Sequence, residues 1–235
     1  MNWDNFKSSF HESWHDVIKP FVESEPCDEI YAYLKKEGRR GKKIAPLSSA
    51  TFRCFHETEF DKMRVIIVGM SPYHTFKKGA PVADGLLLSC SVTNSLQPSL
   101  DQFYDGIIRE LYNDCEIIKD PDLTYLANQG VLLFNSSLTT EMNKAGSHMT
   151  IWEPFTRYMF EHVFDGTGIP VVFLGKEAAK FERYVTPFTW KFSISHPASA
   201  AYKHTEWDSE GVFTNINKIL SDNKKPEINW AKIKL

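Results

Sequence analysis

Residues 64 to 74 read RVIIVGMSPYH, from Arg64 through Gly69 to His74, and this stretch decides the fold. Val65, Ile66, Ile67 and Val68 form an unbroken aliphatic run without polar alternation, the pattern of a strand covered on both faces in a parallel sheet. The run stops at Gly69, and Ser71, Pro72, Tyr73 and His74 then place polar groups and a turn-former at its end. Two further runs follow the same plan, Val131 to Phe134 and Val171 to Leu174, and Trp190 to Ile194 reads as a fourth strand. Between them, Leu100, Phe103, Ile107, Ile108 and Leu111 fall at helical spacing, as do Phe155, Met159, Phe160 and Val163. Strands alternating with helices predict a three-layer α/β/α fold with a mostly parallel, four-stranded central sheet.

Outward from this centre, Glu177 to Tyr184 suggests a third helix. A last helix is expected from the cap residues Asp208 and Ser209, burying Val212, Phe213, Ile216, Ile219 and Leu220. The first 60 residues read as helices, with Trp3, Phe6, Phe10, Trp14 and Val17 on one stripe and Ile30, Tyr31 and Leu34 on another. They are expected to pack on the same core, making residues 1–235 a single domain. Only the polar stretch Asp222 to Pro226 resembles a loose connector.

The chain has 235 residues, 42% apolar and 24% charged, enough for one sizeable core. Its 27 Lys and Arg against 30 Asp and Glu leave a net charge of -3, so any nucleic-acid contact must be local. No apolar run approaches the ~18–20 residues that span a bilayer, so no membrane role is expected. The opening MNWDNFKSSF lacks the basic and apolar parts of a secretory signal, and a cytoplasmic location is the expectation. Cys27, Cys54, Cys90 and Cys115 show no CxxC spacing and read as free buried thiols rather than metal ligands.

In open α/β sheets, ligands bind beyond the carboxyl ends of the strands. That rule selects Gly69 to His74, Asn135 to Ser137, Gly175-Lys176 and Ser195-His196-Pro197. Each has a plainer reading when taken alone. Ser71 could cap a turn, His196 could brace a His-Pro turn, Asn135 could bond its own loop, and Lys176 could be a solvated charge. Four such segments at one sheet edge favour a site.

These segments also carry a resemblance. VIIVGMSPYH, with Gly85-Leu86 and Leu88-Ser89 after it, resembles the water-activating segment of the uracil-DNA glycosylases, VxxLGQDPYH followed by GLxFS. Gln97 to Leu100 resembles the family's loop ending in PSL, and GVLLFN at Gly130 to Asn135 with Leu138-Thr139 resembles its uracil-reading strand. Gly146-Ser147-His148 with Trp152-Glu153 and Phe155-Thr156 is similar to its SHxxxxWExFT stretch. Phe173 to Lys176 resembles its glycine-serine loop, and His196 to Ser199 its HPSP loop. The likeness spans nearly the whole chain, and Ile228-Asn229-Trp230 with the HPA form of the last loop is similar to viral members.

The resemblance implies a monofunctional DNA glycosylase that cuts the N-glycosidic bond of an extruded uracil or modified pyrimidine and leaves an abasic site. It implies no cofactor and no metal, DNA as partner, a monomer, and a replication or inhibitor protein as a further partner. His196 would stabilise the leaving base and Asn135 would read its Watson–Crick edge. Tyr73 would exclude a 5-methyl group, with Met70 and Leu88 also at the base. Ser99, Lys176, Ser195 and Ser199 would grip the DNA backbone, extended by the basic cluster Lys35, Lys36, Arg39, Arg40, Lys42 and Lys43 or leaving that cluster as a solvated loop.

Three departures stand against these matches. Ser71 occupies the position of the family's catalytic Asp, Leu88 that of the aromatic stacking on the base, and Ala200 that of the residue wedged into the duplex. An inserted loop follows His74, with Lys77, Lys78, Gly79 and Pro81, and ends at Asp84. Asp84 either supplies the missing carboxylate or simply forms an Asp-Gly turn. The expected consequence is reduced activity or altered base specificity. The competing reading is a glycosylase-fold DNA-binding or replication-accessory module with weak or lost catalysis. A nucleotide hydrolase is disfavoured because there is no P-loop.

Overall fold

The structure, a computed structural model, describes residues 2–77, 79–113 and 115–234. Its centre is a four-stranded parallel sheet of Val65–Gly69, Val131–Asn135, Val171–Leu174 and Lys191–Ile194, in the spatial order second, first, third, fourth. The first three strands are buried along their whole length, which explains their unbroken aliphatic runs. The fourth lies at an edge and buries only Ile194, so Trp190 falls just before it and stays largely exposed. Helices flank the sheet, giving the expected α/β architecture. The longest are Glu25–Arg39, Pro98–Leu111, Met149–Tyr158 and Val212–Asp222.

The amino-terminal stripe is built differently from the expectation of one helix. Residues 3–14 form three short 3-10 turns, and the α-helix begins only at His15. The Asn2 side chain accepts from the Asp4 N–H and His11 Nδ1 accepts from the Ser13 N–H, so local side-chain bonds replace helical ones. Phe10 and Trp14 still turn inward, although Phe10 lies in extended backbone between the second and third turns. Phe10, Trp14, Ile18 and Phe21 join one core with Phe55, Phe134 and Phe155. Trp14 Nε1 donates to the Thr58 carbonyl at 2.7 Å, and the Tyr158 hydroxyl donates to the Val17 carbonyl at 2.7 Å.

Other boundaries also move. The third helix is one α-turn, Lys176–Ala179, continued as the 3-10 segment Lys180–Tyr184. The last helix starts at Val212 behind a left-handed Gly211; Asp208 closes a turn on the Glu210 N–H instead of capping it. The segment expected to be a loose connector is the bonded end of that helix, since Asn223, Lys224 and Lys225 all donate to carbonyls within it. Beyond it, Ile228 and Trp230 are buried. The inserted loop contains a small hairpin pairing Phe76–Lys77 with Ala80–Pro81, while Lys78 lies outside the described residues. Three of the cysteines are buried free thiols, but Cys115 is exposed, contrary to the expectation for all four. No described helix is long and apolar enough to cross a membrane.

Because Trp14 sits in the same core as the sheet, Trp14→Ala should destabilise the whole protein by about 3–5 kcal/mol. At roughly 2–4 °C per kcal/mol, the melting temperature should drop by about 6–20 °C in one transition seen alike by circular dichroism and fluorescence. Two separated transitions would show that residues 1–60 fold as a unit of their own.

Candidate active site

Parallel pairing sets Gly69 opposite Asn135, Val68 opposite Phe173 and Leu174 opposite Ile194, so all four strands end at one edge. A cleft of about 350 Å³ opens there. Met70, Ser71, Tyr73, Leu88, Ser99, Lys176 and His196 all line it. A second cavity of about 440 Å³ lies beneath the amino-terminal turns and is lined mainly by apolar side chains, with Lys35 and a few hydroxyl residues among them.

His196 follows the fourth strand and precedes Pro197, the first residue of the helix Pro197–Lys203. Its Nδ1 accepts the Ala198 N–H at 3.0 Å, as the cap of that helix. An accepting Nδ1 carries no proton, so the neutral ring bears its hydrogen on Nε2. Burial away from water pushes the His196 pKa down to about 4, which keeps the ring neutral near pH 7. Gly175 (φ +85°) allows this ring to come close: a Cβ there would sit 3.1 Å from the His196 Cβ.

Tyr73 fixes the opposite wall. Its hydroxyl donates to the Leu88 carbonyl at 3.2 Å, and with that proton committed it accepts from the Ser99 hydroxyl at 2.8 Å. Burial raises the Tyr73 pKa well above the usual phenol value, so it stays a neutral donor. Ser71 Oγ accepts the Gly146 N–H at 3.1 Å, leaving its own proton free to donate. The position therefore offers a hydrogen-bond donor, not a base.

Asn135 stands just behind the lining, buried, and its Oδ1 makes no hydrogen bond among the described residues. The same is true of His74 Nδ1, in a residue that does line the cleft. Buried polar atoms nearly always find partners, so two without them at one site mark a place for a polar ligand. His74 was part of the quoted motif, but its identity alone gave no reason to separate it from a turn residue.

Several expected site residues are placed elsewhere. Asp84 is 2% exposed, lies outside the cleft lining and is paired with Arg53 at 2.9 Å, so it cannot replace the missing carboxylate. Ala200 is 6% exposed and turned into the core, so it presents nothing to a duplex. On the same helix, Tyr202 is 87% exposed, four residues beyond the cleft-lining Ala198 and hence on its face. Sequence reading missed it because the helix phase was unknown. Ser195 is exposed, but both its carbonyl and its Oγ accept from the indole Nε1 of buried Trp207, at 2.8 and 3.1 Å. Ser199 Oγ donates to the His196 carbonyl at 2.7 Å, closing the first turn of the helix.

Lys176 is exposed on the rim beside Glu177, whose charge is met by Lys180 at 2.6 Å. The basic cluster is partly neutralised, with Arg40 on Glu37 and Lys42 on Glu141. Its far end still approaches the site: Lys42 meets Glu141 on the 140–147 segment that carries Gly146, and Lys43 lies 6.0 Å from the Phe76 ring of the hairpin. No group of three or more His, Cys, Asp or Glu able to hold a metal occurs among the described residues.

No family model matches the chain. Individual relatives do. It is 32% identical to the uracil-DNA glycosylase of Aliivibrio salmonicida over 231 residues, covering 95% of this chain and 98% of the relative. It is 33% identical to that of Streptococcus thermophilus over 226 residues, covering 94% and 99%. Among solved structures, the mimivirus uracil-DNA glycosylase superposes with a TM-score of 0.83 at 23% identity, over 98% of this chain and 89% of that one. A mimivirus variant solved in complex with UGI gives 0.85, over 98% and 91% at 23% identity. Full-length similarity above 30% and a shared fold, together with a cleft at the carboxyl edge of the sheet, show that the chain belongs to the uracil-DNA glycosylase family.

Proposed function

We infer that this protein is a monofunctional DNA N-glycosylase that releases uracil from DNA as a monomer. The observation that carries the reading is His196: a neutral ring, capped on Nδ1 by the Ala198 N–H, with its only N–H on Nε2 at the cleft. As the glycosidic bond breaks, its electron pair leaves with the base, and a preorganised donor in a dry site stabilises the growing anion. Asn135 supports base reading, because its unpaired Oδ1 can accept the imide N–H of uracil. Tyr73, clamped by Leu88 and Ser99, supports exclusion of a 5-methyl group.

Water attacks C1′ and must lose a proton. Ser71 cannot take it, and Asp84 is engaged elsewhere. Loss of a general base typically costs ~10²–10⁴ in rate, about 3–5 kcal/mol. Slow turnover is therefore the expected character of the enzyme. A DNA-binding module without chemistry has no use for a desolvated histidine and a buried unpaired amide in one site, which sets that reading behind the enzymatic one.

With a uracil-containing oligonucleotide, alkali-labile abasic sites should form slowly, and His196→Ala and Asn135→Ala should each lower the rate by about 10²-fold or more. Ser71→Asp should raise it, by up to ~10²–10⁴. Salt-sensitive DNA binding with no base release from any substrate would instead establish the binding module.

The His196 ring should titrate near pH 4 by NMR, and it should not impose an acid limb on base release near its usual value of ~6.5. Its folded pKa lies below the unfolded one, so the unfolded chain binds the proton more readily. The histidine then has no effect on stability above pH ~6.5 and opposes folding increasingly as pH falls towards 4. A midpoint near 6.5 would mean that the ring is solvated.

The exposure of Tyr202, on the helix that follows His196, supports a stacking contact with DNA. Tyr202→Ala should weaken action on duplex DNA by about tenfold and on single strands much less, because only the duplex has a vacated position to fill. Equal effects on both substrates would assign Tyr202 to general DNA contact.

A further inference from the structure

We propose that Asp84 and Arg53 form a positioning pair that holds the Leu88 wall of the base pocket in a strained conformation and thereby sets discrimination against 5-methyl pyrimidines. The proposal rests on the uracil-pocket reading of the cleft.

The Asp84 carboxylate meets donors from both sides of Leu88. Oδ1 accepts the Leu86 N–H at 3.1 Å. Oδ2 accepts the Ser89 hydroxyl at 2.6 Å, the Ser91 N–H at 2.9 Å and the Ser91 hydroxyl at 2.6 Å, and it pairs with Arg53 Nη1 at 2.9 Å. Arg53 is anchored in turn by Glu57 at 3.2 Å, Asp122 at 3.3 Å and the Thr124 hydroxyl at 2.7 Å. Residues 86, 89 and 91 are thus tied to one buried charge, and the helix Arg53–Glu57 holds that charge from behind.

At the centre of this arc, Leu88 has φ +64°, a left-handed conformation that a branched apolar residue avoids. Its own carbonyl receives the Tyr73 hydroxyl, and Leu86, Leu87 and Leu88 all line the cleft. A buried ion pair by itself is poor evidence of net stabilisation; its better-attested use is to select one conformation among several. Here the selected conformation is the one that points the Leu88 carbonyl at Tyr73. Without it, the tyrosine ring loses one of its two hydroxyl anchors and can swing from the place where a 5-methyl group would lie.

Asp84→Asn is the informative change, because the amide must turn an NH₂ towards donors such as the Ser91 N–H or the Arg53 guanidinium. A double-mutant cycle with Leu88→Gly tests the linkage, since glycine adopts a positive φ without a clamp. Asp84→Asn should lower kcat/KM for uracil release by about tenfold or more and raise the thymine-to-uracil release ratio by about tenfold. In the Leu88→Gly background it should change either quantity by less than about threefold. Multiplicative effects in the double variant, or an unchanged thymine-to-uracil ratio in Asp84→Asn, would overturn the proposal. Arg53→Lys, which keeps the charge but loses the fork, serves as the second entry to the same cycle if Asp84→Asn does not fold. Melting temperatures of the four proteins give the cycle independently of activity. A wild-type protein that releases no uracil would therefore count against the glycosylase reading alone, while additive melting shifts would count against the clamp alone.

Discussion

Residue-by-residue pairing of Val65–Gly69 with Val131–Asn135 is the constraint on which the site depends. Both strands are covered on both faces, so a slip of register would move no hydrophobic group to water and the pattern alone would not forbid it. What fixes the register is at the ends. Gly130 (φ +83°) packs so tightly under Lys62 that a Cβ would lie 2.1 Å from its carbonyl, and at the other end Gly69 leaves room for Leu87 and Asn135. Two glycines thus bring Asn135 level with the turn that carries Met70 to His74, and the third and fourth strands add Lys176 and His196 at the same edge.

The sheet was legible because three of its strands are aliphatic runs, the pattern of a doubly covered parallel sheet. The site edge was legible for the same reason, since the strand ends name the loops. Legibility failed where the decisive partner is distant in sequence or where helix phase matters. Nothing near Asp84 announces Arg53, 31 residues earlier, so a structural carboxylate could be read as a catalytic one. Ala200, expected at the duplex, turns inward, and Tyr202, for which no role was expected, turns outward, once Pro197 is seen to open a helix capped by His196. The amino-terminal aromatics satisfied a helical spacing, yet Asn2 and His11 bond their own backbone and shorten the turns.

In the proposed reaction the site divides into a base side that matches the family's motifs and an altered water side. In that reaction, support for the departing base falls to His196, Asn135 and Tyr73, of which Asn135 is buried and the other two are partly buried. The water side has a serine hydroxyl bonded to Gly146 and a histidine nitrogen without a partner. The two halves contribute to different moments of the reaction: bond breaking draws on the first, and capture of the sugar cation on the second. A serine beside a developing cation supplies a dipole where a carboxylate would supply a full charge, so the sugar side is the weaker half of the catalyst.

Trp207 ties two walls of the cleft together. Its indole holds Ser195 immediately before His196, while its ring lies over Gly106, where a Cβ would come within 2.7 Å of it. Its backbone N–H donates to Gln102, and its carbonyl accepts from Arg109. Gln102, Gly106 and Arg109 all belong to the helix Pro98–Leu111, whose second residue, Ser99, grips Tyr73. His196 and Tyr73, the proposed contacts of the leaving base, are thus mounted on the same bracket. A substitution of Trp207 would therefore disturb His196 and Tyr73 together.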